Sequence, residues 1–330
     1  MATRRTVLLA LLLAAGGSAF SPPPGQGALQ DSRQGPTGSL ALGAAGDRPG
    51  SIASVRPLPF LYDLYTFRGD EGTTVVAAFA VEAGELEREH VEDGVRYRFD
   101  VSLFLADTVL RTVTSSHDSV YVELGRPLPS DHLLYTAVEV HAPPSGNTLQ
   151  RVVMFNATTP GIGQLYTGGF PIPDYSGGHL MLSDVALGQP DAVNGWKRGD
   201  VTIALLPAGR FPASAFDVYY EIYNLPTGNP YVTTISVDRV DEEGIATARV
   251  VDIRFAGESS AGRDAVQAER RRVESSLERG RYRITVTITD MITGQSATNS
   301  RTLEVHSNAR GATMVPALPV AGASGRLSAR

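Results

Sequence analysis

There is no cysteine among the 330 residues. That removes thiol nucleophiles, thiolate zinc sites and iron–sulfur clusters, and it leaves every core to be held by apolar packing without disulfides. Lys197 is the only lysine, so the positive charge is carried by arginine. The formal net charge is −6, and it falls further once an amino-terminal leader carrying Arg4 and Arg5 is removed. A modestly acidic surface aids solubility and argues against a nucleic-acid groove. Phosphate-loop and dinucleotide fingerprints are missing, and so is the α/β alternation that would support them. His-Glu-x-x-His is absent as well. His90, His117, His132, His141, His179 and His306 are scattered with no i,i+4 pair, which argues against a zincin, and surface or loop roles are expected. Beyond the amino terminus no apolar run is long enough to span a bilayer.

What is present begins with an export signal. Arg4 and Arg5 form a positive n-region, Val7 to Ala15 a short apolar segment, and Gly16 to Ala19 a small-residue cleavage region. Residues 1–19 are therefore expected to be a signal peptide. The mature chain is expected to be periplasmic or extracellular and soluble, with no cysteine to take a lipid anchor and no membrane span. Residues 20–55, with Pro22-Pro23-Pro24, read as a disordered leader, and 307–330 as a disordered tail.

Between them the chain reads as all-β. Val95, Tyr97, Phe99, Val101, Leu103 and Leu105 alternate on one face of a long strand. One pattern occurs twice. Tyr135 to His141 alternates, turns at Ser145-Gly146-Asn147 and resumes at Arg151. Tyr282 to Asp290 alternates, turns at Thr293-Gly294-Gln295 and resumes at Arg301. Each reads as a hairpin closing one of two tandem immunoglobulin-like or fibronectin-like β-sandwiches, at 56–158 and 179–306. Residues 159–178, rich in Gly and Pro, read as the linker. Residues 264–279 admit a helix from Asp264 to Gly280 or a strand paired in a hairpin with Val250–Phe255, and the hairpin is favoured. Leu277, Gly280 and Tyr282 have the spacing of a tyrosine corner, in which the phenol bonds back to the preceding turn.

The second half resembles the carboxy-terminal β-sandwich region of secreted bacterial proteins that carry a GWxTD domain. The resemblance runs through Gly177-Gly-His-Leu-Met-Leu-Ser-Asp-Val-Ala-Leu187, Tyr219-Tyr-Glu-Ile-Tyr-Asn-Leu225, Gly280-Arg-Tyr282 and Thr289-Asp290. The signature itself is missing: Gly195-Trp196-Lys197-Arg198-Gly199 lacks the Thr and Asp. The resemblance therefore implies an exported β-sandwich protein and transfers no functional residue.

Several short motifs carry residue types associated with chemistry. Arg68-Gly69-Asp70 and Arg198-Gly199-Asp200 are adhesion-type tripeptides at expected turns. Asp174-Tyr-Ser176-Gly-Gly-His179 lacks the spacing of a nucleophile elbow. Asp238, Asp241, Glu242 and Glu243 lack calcium-loop spacing, and Glu85, Glu87, Glu89, Glu92 and Asp93 read as a charged loop. Phe60, Tyr62, Tyr65 and Phe67, and Phe216, Tyr219, Tyr220 and Tyr223, are expected to send half of each cluster into the core and half outward as a platform. No catalytic, cofactor or metal residue emerges. The sequence points to a non-enzymatic envelope protein, structural or protein-binding, whose partner is another envelope or extracellular protein. A carbohydrate- or small-ligand-binding module is the alternative, and a hydrolase at the interdomain junction, with His179 against Asp174 or Asp184, is the second. An exposed unpaired edge strand would favour the interaction reading.

Overall fold

The computed structural model describes residues 56–159, 162–189, 195–207, 215–260, 266–274, 277–305, 315–316 and 318–319. The export signal, the leader, His306 and most of the tail lie outside the described residues. The first half contributes β1 (Arg56–Pro57), β2 (Leu61–Arg68), β3 (Thr73–Glu82), β4 (Arg88–Val91), β5 (Gly94–Ala106), β6 (Thr112–Leu124), β7 (Leu133–Ala142), β8 (Leu149–Asn156) and β9 (Ile162–Gly169). The second half adds β10 (Met181–Leu182), β11 (Ala186–Gln189), β12 (Trp196–Arg198), β13 (Val201–Leu205), β14 (Ala215–Tyr223), β15 (Pro230–Val240), β16 (Ala246–Glu258), β17 (Val266–Glu274), β18 (Gly280–Asp290) and β19 (Ser296–Val305). Two short strands follow, β20 (Val315–Pro316) and β21 (Leu318–Pro319). One turn of 3₁₀ helix at Ala83–Glu85 is the only helical element among the described residues.

The chain is an all-β protein built of sandwiches, and its sheets stack in four layers. The first runs β1-β9-β8-β5-β6-β21, with β4 also on β5, and the second runs β2-β3-β7-β20. Val101, Leu103 and Met154 of the first pack on Val75, Phe79 and Val140 of the second. The third sheet runs β10-β14-β11-β13-β12, with β17 on the other side of β14, and the fourth runs β16-β15-β18-β19. Phe216, Val218, Tyr220 and Ile222 of β14 face Ile235, Ile284 and Val286 of the fourth sheet. The second and third sheets also meet, burying Tyr65, Phe67, Val76 and Ala78 against Trp196, Ile203, Leu205 and Tyr219. β3 and β14 are consequently buried on both faces. Their sequences show it, because neither alternates as β5 does.

Several expectations are corrected by the pairing. The Tyr135 and Arg151 strands do not form a hairpin. β7 pairs with β3 and β8 with β5, so Ser145-Gly146-Asn147 carries the chain from one sheet to the other. Only the second copy of the pattern is a hairpin, with Tyr282 opposite Leu303 and Thr289 opposite Ser296. Residues 266–274 are a strand and not a helix, yet β17 pairs with β14 while β16 pairs with β15. β16 and β17 thus belong to different sheets. The segment 159–178 is more than a linker: β9 extends the first sheet, and Phe170 and Ile172 are buried in its core. Glycine suits this strand because the Phe155 ring lies across Gly163, where a Cβ would meet it at 2.2 Å. Within the tail, β20 and β21 return to pair with β7 and β6.

The tyrosine corner is present. The Tyr282 hydroxyl donates to the Glu278 carbonyl at 2.9 Å, and Leu277 and Tyr282 are both buried.

Candidate functional site

A β-sheet is completed or left open at its edges, where alternate residues point their N–H and C=O groups away from the sheet. The long sheet edges of this chain are each treated differently.

The edge of β2 is capped by side chains of the second half. Leu64, Thr66 and Arg68 present their backbone groups outward, and all are satisfied. Arg301 Nη2 donates to the Leu64 carbonyl at 2.9 Å. The Thr66 amide donates to Asp184 Oδ2 at 2.8 Å, and the Asp184 amide returns to the Thr66 carbonyl at 3.1 Å. The Arg68 amide donates to the Tyr223 hydroxyl at 2.8 Å, and the Arg68 carbonyl accepts from Arg198 Nη2.

Behind this cap lies a buried charge cluster centred on Glu221, which is 2% exposed. Its Oε1 accepts from Arg198 Nε and the Tyr219 hydroxyl, both at 2.7 Å. Its Oε2 accepts from Arg198 Nη2 at 3.1 Å and the Tyr223 hydroxyl at 2.7 Å. Four donors fill the acceptor sites of a carboxylate. Burial, then the charge of Glu221, pushes the Tyr219 and Tyr223 phenols far above their ordinary 10.0, which keeps them neutral donors. Burial would lower the Arg198 guanidinium, but the hydrogen bonds and charge of Glu221 override it and raise it. A second cluster joins Arg301 to Asp63 and, at 3.9 Å, to Asp184, with the guanidinium 4.2 Å from the centre of the Tyr65 ring. With their hydrogen-bonding capacity spent on one another, these groups act as a lock between sheets.

The adhesion-type motifs are part of that lock. Arg68 turns inward, donating to the Tyr175 carbonyl and to Asn224 Oδ1, both at 3.0 Å, and stacking 4.4 Å from the Tyr223 ring centre. Arg198 goes to Glu221. Neither arginine is held out on its loop for a receptor. Gly199, at φ +55, supplies the turn between β12 and β13.

The other candidates are dispersed. Asp174, Ser176 and His179 are exposed, Asp174 Oδ1 caps the Ser176 amide at 2.8 Å, and Asp184 is engaged with Thr66. His117 meets Ser102 at 2.9 Å and His141 meets Thr74 at 3.1 Å, both as cross-strand pairs. Asp238 pairs with Arg249 at 2.8 Å, and Asp241 caps the Ile245 amide at 2.7 Å. Glu89 pairs with Arg98 at 3.3 Å and Glu87 with Arg56 at 3.4 Å, beside an open groove of about 570 Å³. Among the described residues no three of His, Asp or Glu are placed to hold a metal ion.

The expected aromatic platform is absent because both faces of its strands are covered. Tyr65, Phe67, Phe216, Tyr219, Tyr220 and Tyr223 are all buried. Tyr62 and Tyr166 remain half-open and stack on each other at 5.5 Å, which covers one face of each ring.

His132 breaks the expectation of surface histidines. It is 7% exposed, and its Nε2 has no hydrogen-bond partner among the described residues. Burial holds the imidazole below its ordinary 6.5, against the charge of Asp131. Because the folded value is depressed, the unfolded chain binds the proton first. Stability from this site is full above about pH 7 and falls as pH drops through about 6.5. In urea titrations between those conditions and pH 5.5, His132→Gln is expected to lose less stability than the parent. Equal losses would remove His132 as the cause.

The remaining edges separate by what they point inward. β19 is docked: Asn299 Nδ2 donates to the Ser183 carbonyl at 2.7 Å, and Arg301 reaches Asp63. β17 sends Glu269 and Arg271, ion-paired to each other, toward the core. β6, covered by β21 only at Val120 and Tyr121, carries Ser116 and Asp118 opposite the buried Leu103 and Val101. An inward polar or charged residue is how an edge resists a stray strand. β16 has none. Its inner row is Val251, Ile253 and Phe255, all only half-buried, and among the described residues it pairs with β15 alone.

Neither a family model nor a curated protein sequence matches the chain. Among solved structures, red sea bream transglutaminase aligns at TM-score 0.23 and 13% identity, over 74% of this chain and 31% of that one. A Bacteroides uniformis beta-glucuronidase aligns at TM-score 0.25 and 9% identity, over 69% of this chain and 26% of that one. The chain thus spans a third or less of these proteins, and alignments at these TM-scores carry no argument about it.

Proposed function

We propose that this chain is an exported, non-enzymatic protein of the bacterial cell envelope, structural or protein-binding, that engages its partner by strand addition at β16. The observation that carries the reading is the contrast among edges. β2 is capped, β19 docked, and β17 and β6 guarded, while among the described residues no strand covers the outer edge of the thirteen residues from Ala246 to Glu258, beside a half-covered apolar row. Main-chain hydrogen bonds along such an edge provide affinity, and the apolar row provides selectivity. The amino-terminal signal pattern and the resemblance to secreted GWxTD-type proteins support the envelope location. Among the described residues no helix is long and apolar enough to cross a membrane.

The test is in-cell photocrosslinking of the tagged chain, with the reactive residue at Arg254 on β16 or, as the control, at Ser115 on β6. A reproducible adduct from position 254, absent from position 115, is expected. An abundant, exported chain giving no adduct from 254 would overturn the reading.

A further inference from the structure

We propose that the strand that completes β16 is β16 of a second copy of this chain, running antiparallel about a two-fold axis at Ile253. This rests on the reading of β16 as an interaction edge. Antiparallel two-fold pairing sets residues symmetric about the axis opposite each other. With the axis at Ile253, Asp252 of each copy faces Arg254 of the other, and Val251 faces Phe255, twice over.

Neighbouring registers fail on charge or on polarity: an axis at Val251 sets Ile253 opposite Arg249, beyond the regular stretch. An axis at Asp252 sets Asp252 against itself, and one at Arg254 sets Arg254 against itself. An axis at Phe255 brings Asp252 opposite Glu258. An axis between residues would oppose the apolar row of one copy to the exposed row of the other, because the side-chain period is two. The Ile253 register therefore matches both faces, and like charges directly opposite penalise these alternatives.

Backbone and burial fit the same register. β16 runs in regular register with β15 from Pro230 opposite Glu258 to Val237 opposite Val251, and shifts only beyond that point. Val251 to Phe255 thus lie on an unbroken stretch. Val251, Ile253 and Phe255 are half-buried, and Val251 and Phe255 pack on the core beneath the fourth sheet. A second copy would continue that core across the axis and join two four-stranded sheets into one. Asp252 and Arg254 are exposed, so exchanging them perturbs the pairing without disturbing the core.

The experiment is sedimentation velocity of the chain from residue 20 across the micromolar range, with Asp252→Arg, Arg254→Asp and the double exchange, each checked by far-UV circular dichroism. The parent is expected to dimerise. Either single reversal, setting like charges opposite, is expected to weaken dimerisation about tenfold or more. The double exchange restores opposite charges and is expected to restore the dimer, which also shows that neither substitution prevents folding. A parent that stays monomeric, a dimer indifferent to both reversals, or an exchange that does not rescue would each overturn the proposal. A monomeric parent that still crosslinks from position 254 to another protein would end the self-pairing proposal and leave the interaction reading standing.

Discussion

Glu221→Ala is expected to destabilise the chain by about 3–5 kcal/mol, the cost of breaking a buried ion pair from one side. The carboxylate that receives Arg198, Tyr219 and Tyr223 would be gone, leaving a guanidinium and two phenol hydroxyls without their acceptor. The readout is built in. Trp196 is the only tryptophan, and it stacks on Phe67 at 5.0 Å within the seam between the second and third sheets. Urea denaturation followed by its fluorescence reports on that seam. A loss under about 1 kcal/mol would show that the cluster is not holding it. Removing both charges with Arg198→Met and Glu221→Leu is expected to cost much less, because replacing a buried pair by apolar groups avoids a stranded charge.

Arg301→Met is expected to cost a similar amount, about 3–5 kcal/mol, for a different reason. Arg301 is 9% exposed on its side chain and lies between Asp63 and Asp184, at 11% and 4%. Without it two buried carboxylates share one region with no cation between them, and the Leu64 carbonyl loses a donor. Because Asp63 and Arg301 come from opposite halves, the damage should reach both. The urea midpoint is expected to fall with the slope unchanged, and circular dichroism and Trp196 fluorescence are expected to report one transition. A midpoint within experimental error of the parent would overturn the prediction. A separate early transition of one half would show that Arg301 joins the halves without making them cooperative.

Much of the fold could be read from residue pattern, and the failures share one cause. The alternation of β5 and β18 identified them, and Leu277-x-x-Gly280-x-Tyr282 identified a corner whose hydrogen bond is present. What pattern could not give was the partner of each strand. Ser145-Gly146-Asn147 reverses the chain whether the next strand pairs with the last or crosses to the facing sheet, so the β7–β8 arch looked like a hairpin. The glycines of Ile162–Gly169 read as a linker because the ring that covers Gly163 comes from Phe155, on the neighbouring strand. The uninterrupted apolar run of β3 was the local sign of burial on two faces, and in β14 Asp217 and Glu221 masked it. The apolar row of β16 was visible too. That the row sits at an open edge depends on pairings with β15 and β18, which no local window contains.

The capping of β2 also sets an order on how the chain can be completed. Thr66 waits for Asp184, 118 residues later, and Asp63 for Arg301, 238 residues later. As the chain is synthesised, β2 and β3 exist long before the groups that close their edge. Contacts so distant in sequence form slowly, and an uncapped edge is where a nascent chain recruits the wrong strand. Until Arg301 has been made, the edge of β2 that faces away from β3 lacks one of the groups that close it.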